Sequence, residues 1–208
     1  MKEPLRLFDR IVLAPPDARI YRRLGYRRGV TRLSPEEKKN IDGWIAEAAS
    51  VVRLRGAARI LPARRTGENE VALVGVPAWR SRDLAVFVGD AGEIVLLGAT
   101  AGPEIVDAVR RDTGEGMLRR GVVLDAAASE MVDAALDWMT SFLNRTLRRE
   151  GRGLSRRRYS AGYGDFPLAG QADIHQLLDM ERWGVRITKS FMLEPEKSVT
   201  AVAVVVEF

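Results

Sequence analysis

The ten residues 158–167 read Arg158-Tyr-Ser-Ala-Gly162-Tyr163-Gly-Asp-Phe-Pro167. They combine one cation, two glycines, two tyrosines and one proline, a mixture that no regular helix or strand tolerates. Gly162 and Gly164 allow backbone angles and close approaches that a Cβ would forbid. Pro167 fixes its own φ and favours an extended conformation at Phe166. The sequence therefore predicts a loop of defined shape at this position.

This loop has two interpretations. In the first, its backbone amides face a ligand, Arg158 offers a planar pair of donors to a carboxylate or phosphate, and the tyrosines offer flat faces to a ring. In the second, the glycines only turn the chain between two helices. The loop by itself is compatible with both, so the choice depends on residues further along the chain.

The spacing Arg-xxx-Gly-Tyr-xxx-Pro, which runs from Arg158 to Pro167, resembles the signature of the activation domain of cobalamin-dependent methionine synthase. A second block lies C-terminal to it and reads Gly184-Val-Arg-Ile-Thr-Lys-Ser190-Phe-Met-Leu-Glu-Pro195-Glu-Lys-Ser198-Val199. It is similar to the family pattern Gly-x-x-Leu-Thr-Glu-Ser-x-x-Met-x-Pro-x-x-Ser-Val, except that Lys189 replaces a glutamate. The likeness is close over residues 95–200 and weak before them. Two blocks in the right order are more specific than either block alone.

The resemblance implies a function. In that family, one electron from a flavodoxin-like donor and a methyl group from S-adenosylmethionine rescue cobalamin from the inactive cob(II) state. This chain would be a stand-alone activation domain that binds S-adenosylmethionine and presents it to a separate cobalamin-dependent methionine synthase or corrinoid protein. The 208 residues leave no room for cobalamin, folate and homocysteine modules, so we expect cobalamin to arrive only with a partner.

The resemblance also assigns residues to the ligand. Arg158 would bind the ligand carboxylate with both arms, and the backbone at Ser160 would bond the ligand inside the loop that Gly162 shapes. Tyr163 would lie toward the corrinoid. Asp133 is the nearest match to a family glutamate that meets the ligand's amino group. Asp133 and Asp137 share one side of a predicted helix, and a solvated acidic face is the alternative explanation for them.

Two features of the family pattern are missing. A family acid near the start of the domain, in an Asp-Trp context, has no convincing match in residues 1–50, where Asp42-Gly-Trp44 is only superficially similar. A late family tyrosine that completes the ligand pocket would come after the second block, but the sequence given stops a few residues beyond that block. Both differences bear on the expected affinity for S-adenosylmethionine.

The composition excludes several kinds of chemistry. The chain has no cysteine, which removes disulfides, thiolate nucleophiles and the usual structural zinc sites. His175 is the only histidine, so catalytic triads and histidine-based metal sites fail on number. Asp173-x-His175-x-x-Leu178 is similar to the Asp-x-His-x-x-Gly of cobalamin-binding modules, but the glycine is absent, so we expect no resident corrinoid. Glu194 and Glu196 are interpreted as loop charges.

A net charge of +5 and a pI near 9.9 come from scattered arginine clusters. Such a charge is compatible with nucleic acid, with an acidic protein partner, or with a simply solvated surface. Because the clusters are not interleaved with aromatic residues, we expect no nucleic-acid partner. The sequence has no apolar run of about 18 residues, so we expect no membrane span or signal peptide and a cytoplasmic protein.

The order of helix and strand signals has no regular βαβ alternation, which predicts an α+β fold in a single domain over residues 1–208. We expect several helices and a mostly antiparallel sheet. Residues 1–33 are predicted to be irregular or short β structure, because prolines at 15 and 16 interrupt any helix. The basic, glycine-containing segment 145–157 is predicted to be an exposed linker or loop.

Two further function classes stay open. The chain could be a non-enzymatic docking protein that binds a corrinoid methyltransferase partner and does not use S-adenosylmethionine. Its arginines could instead bind nucleic acid, which predicts strongly salt-dependent retention on DNA or RNA. An intact ligand pocket would argue against the docking class.

Overall fold

The computed structural model describes residues 4–27 and 29–208, and in these residues the chain forms nine strands and six α-helices. The strands are β1 (Arg6–Phe8), β2 (Arg55–Arg65), β3 (Glu70–Leu73), β4 (Trp79–Arg80), β5 (Glu93–Thr100), β6 (Arg152–Leu154), β7 (Arg186–Ile187), β8 (Leu193–Glu194) and β9 (Ser198–Glu207). The helices are α1 (Asp17–Arg23), α2 (Pro35–Val51), α3 (Arg82–Val88), α4 (Pro103–Gly114), α5 (Leu118–Leu147) and α6 (Gly170–Leu177). Short 3-10 helices occupy Arg148–Glu150 and Met180–Trp183.

Seven strands form one sheet in the order β4-β3-β2-β5-β9-β6, with β1 also paired to β2. Every pairing in it is antiparallel. Strands β7 and β8 form a separate two-stranded ribbon, which is antiparallel as well. The predicted α+β fold with a mostly antiparallel sheet is therefore confirmed.

The sheet is covered on both faces, and this explains the apolar run from Glu93 to Gly98. Alternate residues of β5 enter different cores, because side chains of a strand point to opposite faces. Val95 and Leu97 pack with α2, α4 and α5. Ile94 and Leu96 pack with α3, α6 and the segments around them. A strand buried on both faces has no position for a polar side chain, so its sequence reads as continuously apolar.

Helix α5 is the longest helix in the described residues and has 30 residues. One side of it belongs to the first core, where Ala127, Ala135 and Met139 are fully buried. The buried alanines at 126–128 let α5 lie close to the sheet. The opposite side carries Asp133 and Asp137, so this single helix connects the core to the predicted site residues.

The predicted irregular segment 1–33 is wrong in part. Residues 6–8 form β1, but Asp17–Arg23 form helix α1, which begins directly after Pro16. Proline does not prevent a helix that starts next to it, since the first helical N–H groups need no partner within the helix. Ile20 is completely buried and attaches α1 to the first core. Residues 1–3 and Arg28 lie outside the described residues.

The predicted linker at 145–157 is also wrong. This segment contains the last turn of α5, a 3-10 turn and β6, which pairs with the end of β9. Its Gly153 is buried, and a Cβ there would lie 2.6 Å from the Phe208 ring. The glycine that indicated flexibility therefore allows close packing.

No helix within residues 4–27 and 29–208 is long and apolar enough to cross a membrane.

Gly56 and Gly43 provide a matched test of this packing. A Cβ at Gly56 would lie 2.7 Å from the Gly98 carbonyl oxygen and 2.7 Å from Met139 Sδ, whereas a Cβ at Gly43 meets nothing within 4 Å. We expect Gly56→Ala to lower the free energy of unfolding by about 1–3 kcal/mol. Gly43→Ala, on the exposed side of α2, should raise it by about 0.5–1 kcal/mol. Urea denaturation measures both, and a similar change in the two variants would contradict the close packing at Gly56.

Candidate functional site

An open cleft of about 730 Å³ lies between α5, loop 158–168 and the start of β9. It is lined by Asp133, Leu136, Arg158, Tyr159, Ser160, Ala161, Tyr163, Leu168, Gln171, Met192, Leu193, Glu196, Ser198, Val199, Thr200 and Ala201. Both sequence blocks contribute to it, the first through residues 158–163 and the second through residues 192–199. The two blocks that are separate in the sequence therefore face the same space.

The structure brings together four of the five predicted site residues. Asp133, Arg158, Ser160 and Tyr163 all line the cleft. Gly162 does not line it but shapes the loop, with a φ of +86° and an N–H that donates to the Phe166 carbonyl over 2.9 Å. Their contact with a ligand stays a prediction.

Two backbone hydrogen bonds to β9 place the loop. The N–H of Tyr159 donates to the Val202 carbonyl over 2.8 Å, and the N–H of Val202 donates to the Tyr159 carbonyl over 2.7 Å. Next along the chain, Ser160 Oγ donates to the Thr200 carbonyl over 2.8 Å. The Ser160 side chain is thus engaged with β9. That the backbone at Ser160 bonds a ligand stays a prediction.

Asp165 anchors the far end of the loop to the start of α3. Its carboxylate accepts hydrogen bonds from the Ser81 hydroxyl, from the Arg82 N–H over 2.7 Å and from the Asp83 N–H over 3.2 Å. The bond from Ser81, together with those from the backbone, holds the pKa of Asp165 below its usual value. Gly164 makes this approach possible, because a Cβ there would collide with the Asp83 carboxylate.

Arg158 is held from α5. Its Nη2 donates to Asp137 Oδ1 over 2.8 Å, and its Nη1 approaches Thr140 Oγ1 at 3.4 Å. These contacts use two of the five N–H donors that a guanidinium has. They also fix the plane of the guanidinium, since the two α5 residues are three positions apart and face the same way.

Asp137 belongs to a chain of ion pairs that we call the arginine–carboxylate network, formed by Arg19, Arg23, Glu130, Asp137 and Arg158. Arg19 Nε donates to Glu130 Oε2 over 2.8 Å, and Arg19 Nη1 donates to Asp137 Oδ2 over 2.7 Å. Arg23 Nε donates to Glu130 Oε1 over 2.8 Å. The network connects α1 to α5 and, through Asp137, to the loop.

Asp133 and Glu130 on α5 have opposite pKa shifts. Burial raises the pKa of the half-buried Asp133, and the negative charge of Glu130 raises it further, while Arg19, Arg23 and Arg158 oppose the shift. Burial also disfavours ionised Glu130, but its hydrogen bonds to Arg23 and Arg19 outweigh this and lower its pKa. The ionised form of Asp133 is therefore disfavoured in the folded protein. Carboxyl groups with shifted pKa values are common in binding and catalytic sites.

An exposed group of large apolar side chains borders the cleft, and we call it the apolar rim. It consists of Tyr163, Phe191 and Met192, whose exposed fractions are 68%, 37% and 55%. Phe191 has a φ of +63°, and its carbonyl accepts a hydrogen bond from Gln171 Nε2 over 2.6 Å. Because Gln171 and Met192 also line the cleft, the rim and the cleft form one continuous surface.

Other residues considered from the sequence lie elsewhere. Asp42 accepts hydrogen bonds from Tyr21 and Lys38 and does not line the cleft. His175 is buried, and its Nε2 donates to the Val185 carbonyl over 2.8 Å. Glu196, interpreted as a loop charge, does line the cleft. No group of three or more side chains suited to a metal ion occurs among residues 4–27 and 29–208.

Arg19, Arg23, Glu130 and Asp137 take part in the network, but only Asp137 can be singled out from the sequence, by its spacing from Asp133. Arg19 and Asp137 are 118 residues apart. No local pattern indicates such a pair. The only available signal is the run of arginines after Pro16, which lies in the segment predicted to be irregular.

No family model matches this sequence, and no curated protein matches it. Solved structures do match, among them a crystal structure of the MetH reactivation domain bound to AdoHcy, S-adenosylhomocysteine. The TM-score is 0.69 at 14% sequence identity, and the alignment covers 97% of this chain and 78% of that one. The protein therefore has the fold of the MetH reactivation domain, which confirms the fold that the two sequence blocks predict.

The Asp165 anchor generates a testable prediction. Because the pKa of Asp165 is lowered in the folded protein, its contribution is present above the unfolded-state pKa and is lost as the pH falls through the lowered value. At neutral pH, Asp165→Ala should accelerate hydrogen exchange at the amides of Gly162 and Phe166. In the wild-type protein, exchange at these two amides should become faster only at acid pH, where Asp165 is protonated. Asp90→Ala, at an exposed carboxylate, is the control, and equal exchange in both variants would show that Asp165 is no anchor.

The raised pKa of Asp133 predicts an effect of opposite sign. Folding favours its protonated form, so stability is lost as the pH rises through the raised pKa. Asp133→Asn should therefore raise the Tm at neutral pH, and the gain should shrink as the pH falls and wild-type Asp133 becomes protonated. Asp137→Asn, one turn away, should lower the Tm because it weakens two ion pairs. A Tm that falls in both variants would make Asp133 a structural residue.

Proposed function

We propose that this protein binds S-adenosylmethionine in the cleft and presents its methyl group to cob(II)alamin on a separate cobalamin-dependent methionine synthase or corrinoid protein. The observation that carries this proposal is the convergence of Asp133, Arg158 and Ser160 in one cleft. The shared fold with a reactivation domain that was crystallised with AdoHcy supports it.

The charges of the cleft suit the amino-acid end of this ligand. An α-amino acid carries an ammonium and a carboxylate on one carbon, so its site needs a carboxylate and a cation close together. The positive charge of Arg158 is close enough to Asp133 to favour the ionised form of that carboxyl, although burial keeps its pKa raised overall. Arg158 would bind the ligand carboxylate, and Asp133 would bind the ammonium with a charge-assisted hydrogen bond.

The reaction requires little from the side chains. One electron, supplied by a flavodoxin-like donor, and the sulfonium methyl group are delivered to cob(II)alamin, which leaves methylcob(III)alamin and S-adenosylhomocysteine. No proton moves, so neither a general base nor a nucleophile of the protein is needed. The protein contributes orientation of the methyl donor. The apolar rim next to the cleft is a suitable surface for the flat corrinoid of a partner.

A second candidate function is a docking protein for a corrinoid methyltransferase that does not use S-adenosylmethionine. One observation favours it, since Arg158 already has a carboxylate partner in Asp137. The apolar rim would serve this function equally well. Ligand binding separates the two candidates.

Calorimetric titration with S-adenosylmethionine tests the proposal. The wild-type protein should bind it, and Arg158→Ala should weaken binding by about 1.5–3 kcal/mol, the contribution of a hydrogen bond to a charged group. Arg157→Ala is the matched control, because Arg157 is the exposed neighbour and does not line the cleft. No binding at millimolar ligand, or an equal loss in both variants, would reject the proposed function and leave the docking protein.

A further inference from the structure

We infer that Arg19 of α1 is a positioning residue of the ligand site, which holds the Asp137 carboxylate that orients Arg158 and supplies positive charge beside Asp133. This inference rests on the proposed function and deepens it. Arg19 does not line the cleft and would not touch the ligand. Its influence would pass through two carboxylates of α5.

Helix α1 is attached to the first core and to α5 at adjacent residues. The helix has seven residues, and its Ile20 is completely buried in the first core. Arg19, next to this anchor, contacts Glu130 and Asp137 at the same time. These carboxylates are seven residues apart on α5, which is two helical turns, so the side chain of Arg19 lies along the α5 surface. Short α1 therefore has a fixed place and a fixed charge on the side of α5 that faces the site.

Asp137 is bound on both carboxylate oxygens. Its Oδ2 accepts from Arg19 over 2.7 Å, and its Oδ1 accepts from Arg158 over 2.8 Å. A carboxylate held in this way cannot rotate about its last torsion without losing one partner. Asp137 is exposed, and an exposed ion pair alone fixes little. The second guanidinium is what makes Asp137 a firm support for Arg158.

Asp133 lies between Glu130 and Asp137 along the same helix. The charged groups that act on it are Glu130, which disfavours its ionised form, and Arg19, Arg23 and Arg158, which favour it. Removing Arg19 removes one of these three cations. The ionised form of Asp133, which is the form that binds an ammonium, would then be less favoured. Removing Arg19 thus takes away a partner of Asp137 and a cation beside Asp133. Both changes would weaken binding of the amino-acid end of the ligand.

The experiment compares Arg19→Gln with Arg22→Gln, a change at an exposed arginine of the same helix. S-adenosylmethionine is titrated into each variant, and the pKa of Asp133 is measured by carboxyl NMR in the ligand-free proteins. We expect Arg19→Gln to weaken binding roughly 3- to 30-fold and to raise the Asp133 pKa further, with no change in Arg22→Gln. Arg19→Lys keeps the positive charge but loses the planar guanidinium that contacts Glu130 and Asp137 at the same time. It should therefore show the wild-type pKa of Asp133 but only part of the wild-type affinity.

The outcomes separate this inference from the proposed function. If the wild-type protein binds S-adenosylmethionine and Arg19→Gln behaves like Arg22→Gln in both measurements, Arg19 is not a positioning residue and the proposed function stands. If the wild-type protein does not bind the ligand, the proposed function fails. The inference, which rests on that function, then fails with it. A circular dichroism melt confirms that each variant is folded.

Discussion

The pair of backbone hydrogen bonds between Tyr159 and Val202 is the contact on which the site depends. It fastens the loop to β9, a strand whose register is set by its pairing with β5 through the middle of the sheet. From this point Arg158 extends toward α5 and the first core, while Phe166 is buried in the second core. The cleft lies where the chain passes from one core to the other, so its geometry is a result of the two-sided burial of the sheet.

The electrostatics of the site result from this position at the border of a core. Glu130 is buried and needs partners, which Arg19 and Arg23 provide. Asp133 is half-buried next to it, and its raised pKa shows that nearby cations only partly offset burial and repulsion. A protein that optimised stability alone would not keep an aspartate there. In the proposed function, a ligand ammonium would relieve this cost.

The fold and the cleft were predictable to different degrees. The long apolar runs at 93–98 and 198–207 coincide with the central strands β5 and β9, because burial on both faces leaves a continuous apolar pattern in the sequence. The two motif blocks located the walls of the cleft. Helix α1 was missed because two prolines precede it and its charged residues outnumber its apolar ones. The network was missed for a more general reason, since an ion pair between Arg19 and Asp137 joins distant residues and leaves no periodicity in the sequence.

The burial of His175 has a consequence for a protein that would hold a reactive methyl donor. A sulfonium alkylates the strong nucleophiles that it meets, and thiolates are the strongest that proteins contain. This chain has no thiol, and its one imidazole is buried with Nε2 engaged at the Val185 carbonyl. An open cleft can then hold an alkylating agent without a thiolate or a free imidazole of the same chain in its lining, and the softest group that lines it is the thioether of Met192, a weaker nucleophile than a thiolate. The choice of residues would thus slow self-alkylation without a cover over the ligand.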